Sequence, residues 1–234
     1  MRLKFASYNI HKAVGLDRRR DPDRILAILR EIDADVVALQ EADMRFGERA
    51  SVLPIAAIAE HTPYQPVPLS GRPDSIGWHG NALLLRRSLT LAGASMVPLP
   101  TLEPRGAIRA DFVAGNRHLR VVGMHLDLSG LRRRKQVRSV LAHLTECDGA
   151  APAVLMGDMN EWANRGGCFR EFVDGWRLLA PGKSFPARRP LAQLDRIVVS
   201  REWTVVECHV HHSALSAGAS DHLPVCATLE MPKI

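Results

Sequence analysis

The feature that most constrains the fold is a series of short apolar runs, each of which leads directly into an acid, an amide or a histidine. Residues 36–40 are followed by Glu41, and residues 121–124 are followed by His125. Runs of about five residues fit buried β-strands better than helices. Because the end of a strand lies at the rim of its sheet, runs that build a core also bring polar side chains to that rim.

Apolar periodicity separates the predicted helices from the predicted strands. Asp21 and Pro22 open the first helix, because Asp caps free backbone amides and Pro suits the first turn. The predicted helices span residues 22–32, 51–61 and 131–144, with a helical turn at 169–173. The predicted strands span residues 3–10, 36–40, 81–86, 91–97, 107–113, 119–126, 153–156, 194–199, 204–210 and 225–229. Residues 63–80, rich in Pro and Gly, are predicted to be an irregular loop.

Strands dominate the later part of the chain, while helices are interspersed throughout. This pattern predicts an α/β (α+β) fold in which two β-sheets pack face to face with helices outside. The 234 residues, 46% of them hydrophobic, suffice for one core, so we predict a single domain over residues 1–234. No apolar run reaches the roughly 20 residues of a membrane-spanning helix. The N-terminus lacks the apolar core of a signal peptide, and we expect a soluble, cytoplasmic protein.

The net charge indicates what kind of partner the protein binds, and the cysteine spacing indicates the redox state of its compartment. The 31 Lys and Arg residues outnumber the 25 Asp and Glu residues, which gives a net charge of +6 and favours polyanionic partners without identifying one. Basic residues cluster at 18–20, 132–135 and 188–189, all of them arginine except Lys135. Each cluster alone is typical of a solvated face. The four cysteines form no CxxC pair, which argues against a zinc ribbon or a disulfide framework and indicates free thiols in a reducing compartment.

The polar residues at the predicted strand ends are of the types that together could bind a metal and transfer protons. They are Asn9, Glu41, His125, Asp158, Asn160, Asp195, Asp221 and His222. Taken singly, each has an ordinary explanation as a turn, a strand end or a core histidine. Together they supply the carboxylate and amide oxygens that hard divalent cations prefer, and histidines beside carboxylates for proton transfer. Phosphoryl transfer needs this combination of a metal, a base for water and donors to the phosphate oxygens.

Seven segments containing these residues resemble the endonuclease/exonuclease/phosphatase family, which includes DNase I-like nucleases, AP endonucleases, neutral sphingomyelinases and inositol phosphatases. The segments are SYNIH at 7–11, ALQE at 38–41, GNAL at 80–83, MHL at 124–126, GDMN at 157–160, LDRI at 194–197 and SDHLPV at 220–225. Each motif is weak alone, but all of them occur in the family's order over nearly the whole chain. The stretch before LDRI looks most like a bacterial branch of metal-dependent hydrolases, some of them encoded near phospholipid-synthesis enzymes.

The resemblance implies a four-layer, DNase I-like sandwich of two mixed sheets, with the site at one end of both sheets and one or two Mg²⁺ or Mn²⁺ ions bound there. It implies that Glu41 is the principal metal ligand, with Asn9 and Asp221 near or on the metal. It also implies that His222 activates water while Asp195 holds its imidazole. Asp158 remains the alternative base.

The resemblance assigns the other candidates to the phosphate and the substrate groove. Asp158 and Asn160 would orient the attacking water and the phosphate, and His125 would assist the phosphate or the leaving group. Phe185 is a candidate for lining the groove. The remaining substrate-binding candidates are Asn81, Arg105 and Arg188.

The predicted activity is metal-dependent hydrolysis of a phosphodiester, or of a phosphomonoester. A small or lipid-linked substrate is favoured, because the chain is too short for the long loops that grip duplex DNA and lacks aromatics interleaved with basic residues. A DNA or RNA nuclease is the alternative enzyme. A non-catalytic, basic nucleic-acid-binding module is the alternative of another class, although the presence of Glu41, Asp195 and His222 weighs against it. No obligate protein partner is expected.

Overall fold

The computed structural model describes residues 1–44, 50–69, 74–101, 105–147 and 149–231, in which helices interrupt longer runs of strands. The strands are β1 (Arg2–Asn9), β2 (Val36–Gln40), β3 (Tyr64–Pro66), β4 (Gly77–Trp78), β5 (Asn81–Arg86), β6 (Thr90–Val97), β7 (Gly106–Ala114), β8 (Arg117–His125), β9 (Ala153–Asp158), β10 (Trp176–Leu179), β11 (Asp195–Ser200), β12 (Thr204–Val210) and β13 (Val225–Glu230). The helices are α1 (Pro22–Ile32), α2 (Ile55–His61), α3 (Gly130–Thr145) and α4 (Ser216–Ala219), with 3-10 turns at His11–Ala13 and Gly167–Glu171.

Each of the two sheets is mixed and contains one parallel pair of strands near its centre. The first sheet has the order β12-β13-β1-β2-β5-β3, with β4 also paired to β5, and the second has the order β10-β11-β9-β8-β7-β6. In the first sheet β1 and β2 are parallel, with Asn9 opposite Gln40. In the second sheet β8 and β9 are parallel, with His125 opposite Asp158. The polar residues that end these four strands therefore lie at the carboxyl ends of the two parallel pairs.

The main core lies between the two sheets. Apolar side chains of β1, β2 and β5 from the first sheet pack with those of β7, β8, β9 and β11 from the second. Phe5 and Trp203 are both buried and meet edge to face, with ring centroids 5.5 Å apart. This packing confirms the expected face-to-face arrangement, since inward-facing residues of β-strands alternate with outward-facing ones.

Helices cover the outer face of each sheet. Helices α1 and α2 pack on the first sheet through a second apolar cluster, and α3 packs on the second sheet through a third. The start of α1 is as predicted, because the Asp21 carboxylate accepts a hydrogen bond of 3.0 Å from the Arg24 amide. The result is helix, sheet, sheet, helix, which confirms the four-layer sandwich.

Two predicted elements differ from the structure, and strand β10 was not predicted. Helix α2 begins at Ile55 instead of Ser51, because Ser51 forms a β-bridge with Asp43 and Pro54 can stand only at a helix start. The predicted loop 63–80 contains β3 and β4, two short strands whose hydrogen bonds come from β5. Strand β10 was missed because its four residues become a strand only by pairing with β11.

The cysteines are all free, as expected. The described residues contain no helix with the length and apolarity needed to span a bilayer.

Candidate active site

The predicted site residues converge at one end of the sandwich. β1 ends at Asn9 and β2 ends immediately before Glu41, while β8 and β9 end at His125 and Asp158. Strand β11 runs in the opposite direction and starts here, with Asp195 paired opposite Asp158. Because the strands of the two facing sheets end together, side chains from distant parts of the chain share one small volume.

Asp158 is the centre of this cluster. Its Oδ2 accepts a hydrogen bond of 3.1 Å from Asn9 Nδ2, and it lies 3.3 Å from His125 Nε2 and 3.7 Å from His222 Nε2. Its Oδ1 accepts a hydrogen bond of 3.0 Å from the Asn160 amide. The carboxylate is buried and joins one residue of the first sheet to residues of the second sheet and of the loop before β13.

His222 is held by a second buried carboxylate. Its Nδ1 lies 2.8 Å from Asp195 Oδ2, which also accepts a hydrogen bond from the Ser184 hydroxyl. The His222 amide donates to Ser220 Oγ at 3.2 Å, and Ser220 Oγ in turn donates to the Asn9 carbonyl at 2.7 Å. These contacts fix the ring so that Nε2 faces Asp158, which is the orientation a hydrogen-bonded carboxylate imposes on an imidazole.

The charges of the cluster stabilise one another. Burial disfavours an imidazolium, but the carboxylates of Asp195, Asp158 and Asp221 outweigh it and raise the pKa of His222 to about 10. Burial also disfavours a carboxylate, yet the imidazoles of His125 and His222 hold the pKa of Asp158 well below its usual range. Burial dominates at Asp195 and raises its pKa. These pKa shifts favour an imidazolium at His222 beside an ionised carboxylate at Asp158.

Glu41 lies on the first-sheet side of the site, in a left-handed backbone conformation with φ of 54°. Burial opposes its ionisation, but the Lys12 ammonium, which donates to Glu41 Oε2, keeps the pKa of Glu41 below its usual range. Backbone conformations of this kind are costly for residues other than glycine and concentrate at functional sites.

The donor set on this side suits a hard divalent cation. β13, β1 and β2 are adjacent strands, so Asp221, Asn9 and Glu41 come from neighbouring positions at one sheet end. Asn9 Oδ1 accepts a hydrogen bond from the His11 amide, and Asp221 Oδ1 lies 3.9 Å from His11 Nδ1. Two carboxylates and an amide oxygen are ligands that Mg²⁺ and Mn²⁺ accept, so these residues fit the metal that the family implies.

A second potential metal-binding group consists of Asp158, Asp195 and His222. Their ligand atoms all lie within 4.8 Å of one another. Asp195 Oδ2 and His222 Nδ1 already bind each other, which leaves fewer free donor atoms than in the group around Glu41. The structure thus offers two groups of carboxylate oxygens near Asn9, one from Glu41 and Asp221 and one from Asp158 and Asp195.

The GDMN segment is held by backbone contacts. A Cβ atom at Gly157 would lie 1.8 Å from the Met124 carbonyl oxygen, so only glycine allows β8 and β9 to approach this closely. Asn160 has φ of 49°, and its side-chain amide donates to the Leu126 carbonyl at 2.9 Å. Part of the donor capacity that the sequence assigned to phosphate is therefore used to hold the loop after β8.

Asn81 and Arg105 lie near His125. Asn81 is fully buried and donates to the Trp78 carbonyl at 3.3 Å, while its Oδ1 has no partner among the described residues. It borders Gly106, which pairs with His125 across β7 and β8. The Arg105 guanidinium contacts the His125 ring directly. Arg105 is therefore placed where a phosphate bound at His125 would meet a cation.

The Phe185 ring lies against the imidazole of His222. Its ring centroid is 4.8 Å from that of His222, and Trp162 meets it edge to face at 6.4 Å. The Phe185 loop is tied to the loop before β13, because the Ala187 amide donates to the Asp221 carbonyl at 2.7 Å. Arg188 is on the same loop and is exposed, with no ion pair to any described residue. The structure thus brings Phe185 to the cluster and leaves Arg188 at its rim.

Sequence reasoning missed several residues that shape this site. Lys12 pairs with Glu41, Ser184 and Ser220 orient the Asp195–His222 pair, and Trp162 packs on Phe185. Lys12 follows the SYNIH motif directly, and Trp162 stands two residues after GDMN, so proximity to the motifs was the available signal. Ser220 begins the SDHLPV motif, whereas no pattern distinguishes Ser184, because its role arises from loops that meet only in the fold.

Two packed mixed sheets with an acid and imidazole cluster at one end define the DNase I-like class of folds. The model of the Endonuclease/Exonuclease/phosphatase family matches residues 6–222. The chain belongs to this family, whose members are phosphoesterases and nucleases.

Individual relatives agree with this assignment. The uncharacterized protein YbhP of Escherichia coli K12 is 24% identical over 215 residues, which cover 84% of each chain. The structure of D. rerio TDP2 complexed with single-strand DNA product has a TM-score of 0.74 at 18% identity, covering 98% of this chain and 99% of that one. The Bacteroides thetaiotaomicron mannosyl-6-phosphatase Bt3783 has a TM-score of 0.74 at 20% identity, covering 98% and 100%. At these identities the structural likeness establishes the fold.

Proposed function

We propose that this protein is a Mg²⁺- or Mn²⁺-dependent hydrolase that cleaves a phosphate ester, preferentially a small or lipid-linked phosphodiester, by attack of water. The observation that carries the proposal is the meeting of Asn9, His125 and His222 at Asp158, with Asp195 behind His222. A purely structural cluster has no need of two buried carboxylates and two histidines at one rim, since burying charge is costly.

Glu41, Asn9 and Asp221 are the proposed metal ligands. When bound, the cation would neutralise negative charge that develops on the phosphoryl group. The Lys12 ammonium pairs with Glu41 and stabilises its ionised form, which is the form that can bind a cation.

The electrostatics of the site favour Asp158 as the proton acceptor. Sequence analysis favoured His222 as the base, with Asp158 as the alternative. The neighbouring carboxylates raise the pKa of His222 to about 10, which favours the imidazolium, a form with no free lone pair to accept a proton from water. We therefore propose that Asp158 accepts the proton of the attacking water, while the His222 imidazolium donates a hydrogen bond to a phosphoryl oxygen. The ester P–O bond breaks as the new P–O bond to water forms, the departing oxygen takes a proton from solvent and leaves as the alcohol, and Asp158 returns its proton to solvent.

Three further groups are proposed to bind the phosphate and its substituents. Arg105 and Asn81 lie beside His125 and could hold the leaving-group side of the phosphate. Phe185 offers an apolar wall over His222. A site with few cations and one aromatic wall suits one phosphate with an organic substituent better than a long polyanion.

The test is a panel of substrates assayed with Mg²⁺, with Mn²⁺ and with EDTA: an aryl phosphodiester, an aryl phosphomonoester, short-chain glycerophospholipids, plasmid DNA and single-stranded DNA. We expect turnover of the small or lipid diesters with either metal and none in EDTA. Glu41→Gln should shift the metal titration to higher concentration, whereas the control Glu230→Gln, at the far end of β13, should not. Undiminished hydrolysis in chelator would refute the metal mechanism.

A nuclease is the second candidate. It is supported by the basic composition and by the likeness to D. rerio TDP2, whose structure contains a single-strand DNA product. Cleavage of either DNA in the same panel, without action on the small diesters, would make it the better assignment.

A further inference from the structure

Within the part of the chain that the structure describes, most of the highly exposed large apolar side chains lie on segments next to the candidate site. Among the described residues, the five most exposed large apolar side chains are 61–75% exposed, and the next, Val206, is only 44% exposed. Four of these five lie on three segments next to site residues: the stretch from the end of β8 into the first turn of α3, the loop after β9 and the loop before β11. They are Leu128, Leu131, Trp162 and Leu191, and we call them the apolar rim. Single exposed apolar residues are ordinary, but a group around one opening indicates an interaction surface.

Contacts between the three segments connect the residues of the apolar rim. Buried Arg133 joins two of them, since Nη1 donates to the Leu128 carbonyl at 2.7 Å and Nη2 lies 3.2 Å from Glu161 Oε2, next to Trp162. The third loop joins them through Phe185, which contacts Trp162 and accepts a hydrogen bond at its carbonyl from the Leu191 amide. The rim residues therefore lie on segments that contact one another and that also carry the site residues His125, Asn160 and Phe185.

Each of these three segments also carries an arginine with no ion pair to a described residue. Arg132 follows Leu131, Arg165 follows Trp162 by three residues, and Arg189 precedes Leu191 by two. In contrast, the neighbouring Arg134 pairs with Glu171 at 2.8 Å. The rim thus combines exposed apolar side chains with uncompensated positive charge.

We propose that the apolar rim and Arg132, Arg165 and Arg189 dock the protein onto an anionic lipid bilayer, with the site facing the membrane. Aliphatic side chains at the rim favour lipid over nucleic acid, because bases stack on aromatic rings, and three of the four rim residues are leucine. Leu and Trp side chains enter the boundary between headgroups and acyl chains, while arginines pair with anionic headgroups. This inference goes beyond the proposed function, because it concerns binding to a bilayer surface and not hydrolysis. It can therefore be tested by a binding measurement without any turnover.

The test is co-sedimentation with vesicles of phosphatidylcholine alone and of phosphatidylcholine mixed with phosphatidylglycerol. We expect binding to the anionic vesicles. The triple variant Arg132→Gln, Arg165→Gln, Arg189→Gln should weaken it about a hundredfold, at about fivefold per arginine. A matched control, Arg2→Gln, Arg30→Gln, Arg201→Gln, removes the same charge at surface positions outside these loops and should weaken it far less. Equal losses in the two triple variants would show unspecific attraction and overturn the proposal.

The apolar contribution is tested separately. Leu131→Gln with Leu191→Gln should lower vesicle binding at least tenfold, whereas Ile55→Gln with Val206→Gln, on exposed positions elsewhere, should leave it unchanged. Brominated lipid should quench Trp fluorescence in the wild type and not in Trp162→Phe. Unchanged binding of the Leu131/Leu191 variant, or tight binding of single-stranded DNA by a protein that ignores vesicles, would refute the lipid surface.

Discussion

Replacing Asp195 by Asn removes the carboxylate charge that faces His222 and tests the proposed proton roles. Three carboxylates raise the pKa of His222 from 6.5 to about 10 against the effect of burial, and Asp195 contributes most. Asp195 must then supply more than a third of the rise, so its loss should lower the pKa of His222 by more than about one. Asn keeps the size of the side chain, so the change is mainly electrostatic.

The assay is the pH–rate profile for an aryl phosphodiester, together with the His222 pKa from imidazole NMR, assigned with His222→Asn. If the imidazolium is the active form, wild-type activity persists at neutral pH and falls as pH rises through about 10. In Asp195→Asn the same alkaline fall should begin at least about one pH unit lower, with reduced turnover below it.

The control is Asp35→Asn, since Asp35 is a carboxylate at the opposite end of β2 that pairs with Arg86 at 3.1 Å. It should leave the profile unchanged. Near-ultraviolet circular dichroism of each variant checks the fold. Wild-type activity that keeps rising through pH 10 would assign the base to His222 and refute the proposed roles. An alkaline limb that Asp195→Asn does not move would refute the electrostatic reasoning itself.

Three further predictions concern stability, each measured by urea unfolding. Gly157→Ala should prevent the native pairing of β8 and β9, because the new Cβ would overlap the Met124 carbonyl; wild-type stability would contradict the assigned close approach. Arg133→Ala should cost about 3–5 kcal/mol, because it leaves the buried Glu161 charge unpaired, and a change below about 1 kcal/mol would show that Glu161 is solvated. Phe5→Ala should cost about 3–5 kcal/mol through the cavity left beside Trp203, and a near-neutral result would show that the two sheets can close the gap.

Much of the fold could be predicted locally. The helix that starts at Asp21 and the apolar strands were recognisable because capping, periodicity and burial are properties of neighbouring residues. The strands β3, β4 and β10 were not, since each is two to four residues long and owes its conformation to hydrogen bonds from a partner distant in sequence.

The candidate site divides in the same way. The sequence by itself determined which residue types end the strands, and so the oxygen donors Asn9, Glu41 and Asp158 and the histidines near them. Only the tertiary structure decided that Asp158 receives contacts from both sheets, that Ser184 donates to Asp195, and that three carboxylates raise the pKa of His222. The physical reason is that hydrogen bonding and charge stabilisation depend on distances between side chains, which strand order and loop contacts set after the chain has folded.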